Sequence, residues 1–185
     1  MLQSRDFKEL LKLLEKHEVR YLVVGGYAVM LYSEPRWTKD LDLWIGIDPP
    51  NARAVFRALR EFGAPLANLT EEDFGAPGYF YQMGNPPLRV DVMMGLPGGE
   101  FEAAWARRCT IVLGDCRIHF IGKDDLIDVK LASGRDQDLK DVEAIRRGMR
   151  AGTSHQTEQP GAAPNGGSAA SQGDSEVTEG PPSVS

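Results

Sequence analysis

Apolar residues at Phe7, Leu10, Leu11 and Leu14 recur at helical spacing, with Ser4 placed to cap the turn ahead of them. The pattern predicts an amphipathic helix as the first element. The period then shortens. Arg20-Tyr-Leu-Val-Val-Gly is an apolar run ended by a glycine pair, the mark of a short buried strand. Residues 27–32 suit a helix stopped before Pro35. From Asp40 the chain alternates, Asp-Leu-Asp-Leu-Trp-Ile-Gly-Ile, and predicts a strand. Residues 51–62 return to helical spacing behind Pro49-Pro50. Two strands are predicted at 79–83 and 88–94, across the turn signal Gly84-Asn85-Pro86-Pro87. A second hairpin, 110–113 and 117–121, brackets Gly114-Asp115, and helices are predicted at 101–108, 124–133 and 136–149. No internal repeat is visible in 1–150. Strands and helices mixed in this order predict an α+β (mixed α/β) domain, a small mixed sheet flanked by helices.

Composition bounds the picture. The chain has 185 residues, enough for one domain with a proper core and too few for two large ones. No stretch approaches the roughly 18 apolar residues of a membrane span, and the start lacks the basic-then-apolar order of a signal peptide. Cys109 and Cys116 have neither redox nor zinc spacing and read as small buried hydrophobes. A reducing, cytoplasmic setting without membrane association is the expectation. Beyond Arg150 the chain turns to Gly, Ser, Pro and Ala, with only Val177 and Val184 as large aliphatics. Residues 151–185 are therefore expected to form a disordered tail on a domain spanning 1–150. The tail carries Glu158, Asp174, Glu176 and Glu179 and no Lys or Arg, so the formal charge of −6 leaves 1–150 at −2. That near-balance neither excludes a phosphate-bearing substrate nor announces a nucleic-acid binder.

The chemistry concentrates in Val23-Val24-Gly25-Gly26 and, thirteen residues on, Asp40-Leu41-Asp42-Leu43. Alternate strand residues share a face, so Asp40 and Asp42 project together while the leucines point into the core. Side-by-side carboxylates repel unless something positive sits between them. Oxygen-only ligands suit magnesium. Asp91, inside the apolar run Leu88-Arg-Val-Asp-Val-Met, is expected on a neighbouring strand as the third acid of a site for two Mg2+ ions. The three acids are expected to converge at one edge of the sheet beside Gly25-Gly26. At that strand-to-helix turn, glycines let the backbone approach phosphates and the helix offers free N–H groups.

Gly25-Gly26 followed by Arg36-Trp-Thr38-Lys-Asp40-Leu-Asp42-Leu resembles the signature of the polymerase-beta-like nucleotidyltransferases. The run from Asp125 through Lys130, Arg135 and Asp138 to Asp141 is similar to their minimal, AbiEii-like branch, which includes toxins of toxin–antitoxin systems. The resemblance covers most of 1–150. It implies a nucleoside triphosphate donor, magnesium, and transfer of a nucleoside monophosphate to an acceptor hydroxyl with loss of pyrophosphate. The acceptor it implies is RNA (tRNA included), a protein or a small molecule, with an antitoxin protein as partner in the toxin case. It assigns Arg36, Thr38 and Lys130, with Gly25 and Gly26, to nucleotide binding. Many members have Gly-Ser where this chain has Gly25-Gly26, which leaves phosphate binding to backbone N–H groups and nearby cations.

Plainer roles stand beside these. Asp91 could pair with Arg89, and Asp138 and Asp141 could be solvated or pair with Arg135, Lys140 or Arg146. Asp124 and Asp125 are expected to cap a helix. His17, His119 and His155 have no ligand spacing. A member without catalysis, binding nucleotide or a partner protein, and a fold serving only as an interaction module are the competing functional readings.

Overall fold

The computed structural model describes residues 4–34, 38–85 and 88–154, so Arg36 and the tail beyond 154 lie outside the described residues. Helix α1 (Arg5–Lys16) starts where the sequence sets it. The Ser4 hydroxyl accepts the Phe7 N–H at 3.4 Å, and Phe7, Leu10, Leu11 and Leu14 are all buried. β1 (Tyr21–Val23), α2 (Gly25–Tyr32), β2 (Asp40–Ile45) and α3 (Pro49–Phe62) follow. Helix α2 begins at the glycines themselves, two residues before the apolar pattern suggests. Asp48 caps α3 by accepting the Asn51 N–H at 3.1 Å, the prolines occupy positions whose N–H would have no partner, and Gly63 ends it at φ 84°. A short 3-10 turn, Glu72–Gly75, has no periodic signal; it places Phe74 in the core against Phe56 and Tyr81.

The second half runs β3 (Phe80–Asn85), β4 (Leu88–Met93), α4 (Phe101–Ala106), β5 (Cys109–Leu113), β6 (Cys116–Phe120), α5 (Lys123–Ser133) and α6 (Asp136–Ser154). Helix α6 thus continues past residue 150. The cap of α5 is Gly122, which makes no side-chain cap bond; Asp124 and Asp125 lie in the first turn, and Arg107 donates to Asp125 at 3.1 Å instead. Cys116 is buried and Cys109 half-buried. No helix among the described residues is long and apolar enough to cross a membrane.

The described strands form one mixed sheet in the order β3-β4-β2-β1-β6-β5. β2 runs antiparallel to β1 and parallel to β4, while β3–β4 and β5–β6 are the two expected hairpins. Leu41, Leu43 and Ile45 are buried on one face of β2. On the other face Trp44 is dry, packed edge-on against Phe101 of α4 with ring centroids 5.3 Å apart, whereas Asp40 and Asp42 are only partly covered. One strand face therefore grades from core to cleft within four residues. Asn51 fixes the opposite end of β2. Its buried amide donates to the Arg20 and Gly46 carbonyls at 3.0 and 2.6 Å and accepts the Arg20 N–H at 2.7 Å, tying α3 to both strands.

Candidate active site

The register of β2 on β4 sets Asp42 beside Asp91 and Asp40 beside Arg89. Because paired residues of neighbouring strands share a face, all four side chains stand together. The acids thus gather on the face of two interior strands, β2 between β1 and β4, and not at a sheet edge. β1 and the β3 hairpin arm occupy the flanks that would have exposed them.

The glycine turn is stitched to this strand. Val24 N–H donates to the Asp42 carbonyl at 2.9 Å, and Gly25 opens α2 at φ 58°. A Cβ on Gly25 would run into the Asp42 carboxylate, and one on Gly26 into the Thr38 hydroxyl. Both positions therefore exclude side chains on space alone, and Gly25 on conformation as well. Gly25, Gly26, Thr38 and the three acids line a cavity of about 460 Å³, whose far wall comes from α5 and α6.

That wall holds Lys130, and its state differs from a free phosphate-binding lysine. Lys130 is buried, its ammonium donating to Asp138 and Asp141 at 2.8 Å each. Arg135 donates to Asp138 at 2.6 Å, and Gln137 to Asp141 at 3.0 Å. Asp138 and Asp141 are both buried, so neither is a solvated acid on the helix face. The spacing of Lys130 to two acids i,i+3 on the next helix, across the Gly134 turn, was the available signal for this cluster. Burial pushes the Asp138 carboxyl up, but the bonds from Arg135 and Lys130 outweigh it and hold it down at about 2.

Asp42 goes the other way. Burial first, then the charges of Asp91 and Asp40, push its carboxyl up to about 6, against the Gly26 backbone hydrogen bond and the charge of Lys130. Its neighbours have closer partners. Arg89 reaches Asp40 at 2.8 Å and Asp91 at 3.3 Å, and Gln82 donates to Asp91 at 2.8 Å. Among the described residues no three His, Cys, Asp or Glu side chains stand as a ready metal cage. The donor set nonetheless fits a hard divalent ion. It is all oxygen, and Asp42 is a crowded carboxylate lacking a close cation among the described residues. Among the described residues, the charged side chains lining the cavity are Asp40, Asp42, Asp91, Asp138 and Asp141 against Lys130 and Arg135, an acid excess that a divalent ion would offset.

A mixed sheet that sets a glycine-started helix against an Asp-x-Asp strand and a third acid defines a nucleotidyltransferase domain. The chain belongs to the family described as nucleotidyltransferases of unknown function, DUF6036, whose model matches residues 4–146. No curated protein matches it. Among solved structures it is similar to TM1012 of Thermotoga maritima, described as a candidate nucleotidyltransferase, with 16% identity over 80% of this chain and 92% of that one and a TM-score of 0.50. It is similar also to ANT(2″)-Ia in complex with adenylyl-2″-tobramycin, with 11% identity, 80% and 90% coverage and a TM-score of 0.52. At these identities the likeness establishes the fold.

Proposed function

We propose that this chain is a magnesium-dependent nucleotidyltransferase that moves a nucleoside monophosphate from a triphosphate to an acceptor hydroxyl, releasing pyrophosphate. The observation that carries the reading is the β2–β4 register, which sets Asp42 beside Asp91 against the glycine start of α2. Asp40 and Asp42 would hold the ion that accompanies the triphosphate, and Asp91 would serve a second ion on the acceptor side. Bound there, divalent ions supply charge neutralisation for the phosphates and acidify the acceptor hydroxyl. The start of α2, where Gly25 and Gly26 lack side chains, lets phosphate oxygens approach the backbone and the positive end of the helix, with the Gly26 N–H itself already held by the Asp42 carboxylate. Thr38, which lines the cavity, would add a hydroxyl to that binding, and Arg36, by its place in the signature, would add a guanidinium. Asp91 takes the proton of the attacking hydroxyl. Lys130, held by two acids, adds positive field to the cavity wall more than a direct contact.

The acceptor is RNA, a protein or a small molecule. The adenylylated tobramycin on ANT(2″)-Ia supports a small-molecule hydroxyl. The Lys130–Asp141 motif supports the AbiEii-like branch and, with it, a toxin role and an antitoxin partner. Two unpaired cysteines and a need for triphosphates suit the cytoplasm. The test is pyrophosphate release from each nucleoside triphosphate with magnesium and these acceptor classes, with Asp42→Asn as control. Release by the variant equal to wild type sinks the assignment.

One observation favours a second reading, a member that binds nucleotide or a partner protein without chemistry. Arg89 and Gln82 already engage two of the three acids. Magnesium-dependent triphosphate binding with no pyrophosphate release from any acceptor would select it.

A further inference from the structure

Arg89, which the sequence offers only as a pairing partner for Asp91, holds a second acid of the site as well. It faces Asp40 in the β2–β4 register and stands two residues before Asp91 on the same face. Its single Nη2 reaches both carboxylates, Asp40 at 2.8 Å and Asp91 at 3.3 Å. Its Nε is buried with no partner among the described residues. This is a poor geometry for a bridge serving only stability. A guanidinium engages a carboxylate best with two parallel N–H bonds, and an unpaired buried donor carries a cost. What the position does provide is a positive charge between two acids that would otherwise repel.

We propose that Arg89 is an internal counter-ion for the metal site, holding Asp40 and Asp91 while no divalent ion is bound and releasing them when one enters. This rests on the metal-binding role assigned above to Asp40, Asp42 and Asp91. The ion and the guanidinium compete for the same two carboxylates, so Arg89 lowers ion affinity and protects the fold in the ion-free state. Arg89 is then a positioning residue: it acts through the acids and touches no reacting atom.

Calorimetric titration of Mg2+ and Mn2+ into metal-stripped wild type, Arg89→Gln, Arg89→Lys and Asp42→Asn, with thermal melts of each, tests this without any turnover. Arg89→Gln is expected to bind the ion about tenfold more tightly than wild type. It should melt below wild type when metal-stripped and recover most of that loss at saturating Mg2+. Arg89→Lys keeps the charge and should bind the ion within about threefold of wild type, so it answers the question if Arg89→Gln does not fold. If Arg89→Gln binds no more tightly than wild type, or its melting deficit is the same with and without Mg2+, the arginine is merely structural and the inference falls. If Arg89→Lys, tested alone, binds tenfold more tightly, charge competition is likewise excluded. Equal ion affinity of Asp42→Asn and wild type would instead overturn the metal site itself, which separates the two failures.

Discussion

Asp42→Asn puts the electrostatics of the cleft to a quantitative test. Burial and the charges of Asp91 and Asp40 push the Asp42 carboxyl up to about 6 from an ordinary 3.8. That displacement amounts to about 3 kcal/mol against the ionised form. The folded chain therefore holds this proton more tightly than the unfolded chain. Stability falls as pH rises from about 4 to about 6, and the full cost is present above that. Asparagine keeps the shape and can still accept the Gly26 N–H, but carries no charge. Without divalent ions at pH 8, the variant should be more stable than wild type by up to about 3 kcal/mol, or about 6–12 °C in Tm for a domain of this size. Near pH 4 the difference should vanish. Saturating Mg2+ should raise the wild-type Tm and leave the variant's almost unchanged. Thermal melts of metal-stripped protein from pH 4 to 8, with and without Mg2+, read all three outcomes. A variant no more stable than wild type at pH 8, or a gap independent of pH, refutes the reasoning.

The buried cation cluster makes a second case. Lys130→Met leaves Asp138 and Asp141 buried without their shared ammonium and should cost about 3–5 kcal/mol in urea denaturation; a loss below about 1 kcal/mol would contradict it. Gly25→Ala places a Cβ against the Asp42 carboxylate at φ 58° and should lower stability by about 2 kcal/mol or more and weaken triphosphate binding, which an unchanged melting curve would disprove. Asp138, held at about 2, contributes stability that is present above about pH 4 and is lost as pH falls toward 2. Between pH 5 and 2 wild type should therefore lose more stability than Asp138→Asn by circular dichroism, and parallel losses would rule this out.

Much of the fold was legible because its elements carry their own signals. The period of Phe7, Leu10, Leu11 and Leu14 needs only a helix to be satisfied, and Ser4 caps by a bond to a residue three positions away. The alternation from Asp40 fixes which side chains share a face whatever the strand pairs with. The pairing of Asp40 with Asp42 was likewise local, a consequence of the two-residue strand repeat. The 3-10 turn at Glu72–Gly75 carries no periodic pattern; the burial of Phe74 and the bonds from Thr70 to the Asp73 carboxylate order it.

What tertiary structure alone decided is which charges meet. The strand order β3-β4-β2-β1 moved the acids from a sheet edge to an interior face, and strand order depends on how all the helices cover the sheet. The same register brought Arg89, forty-nine positions from Asp40 along the chain, between two metal-ligand candidates. Lys130 reads in sequence as a lysine on a helix; the packing of α5 on α6 buries it on Asp138 and Asp141 in the wall of the cavity. Sequence spacing fixes what a residue can reach through its own backbone. Neighbours contributed by distant segments, and with them burial and ionisation, exist only once the chain has closed on itself.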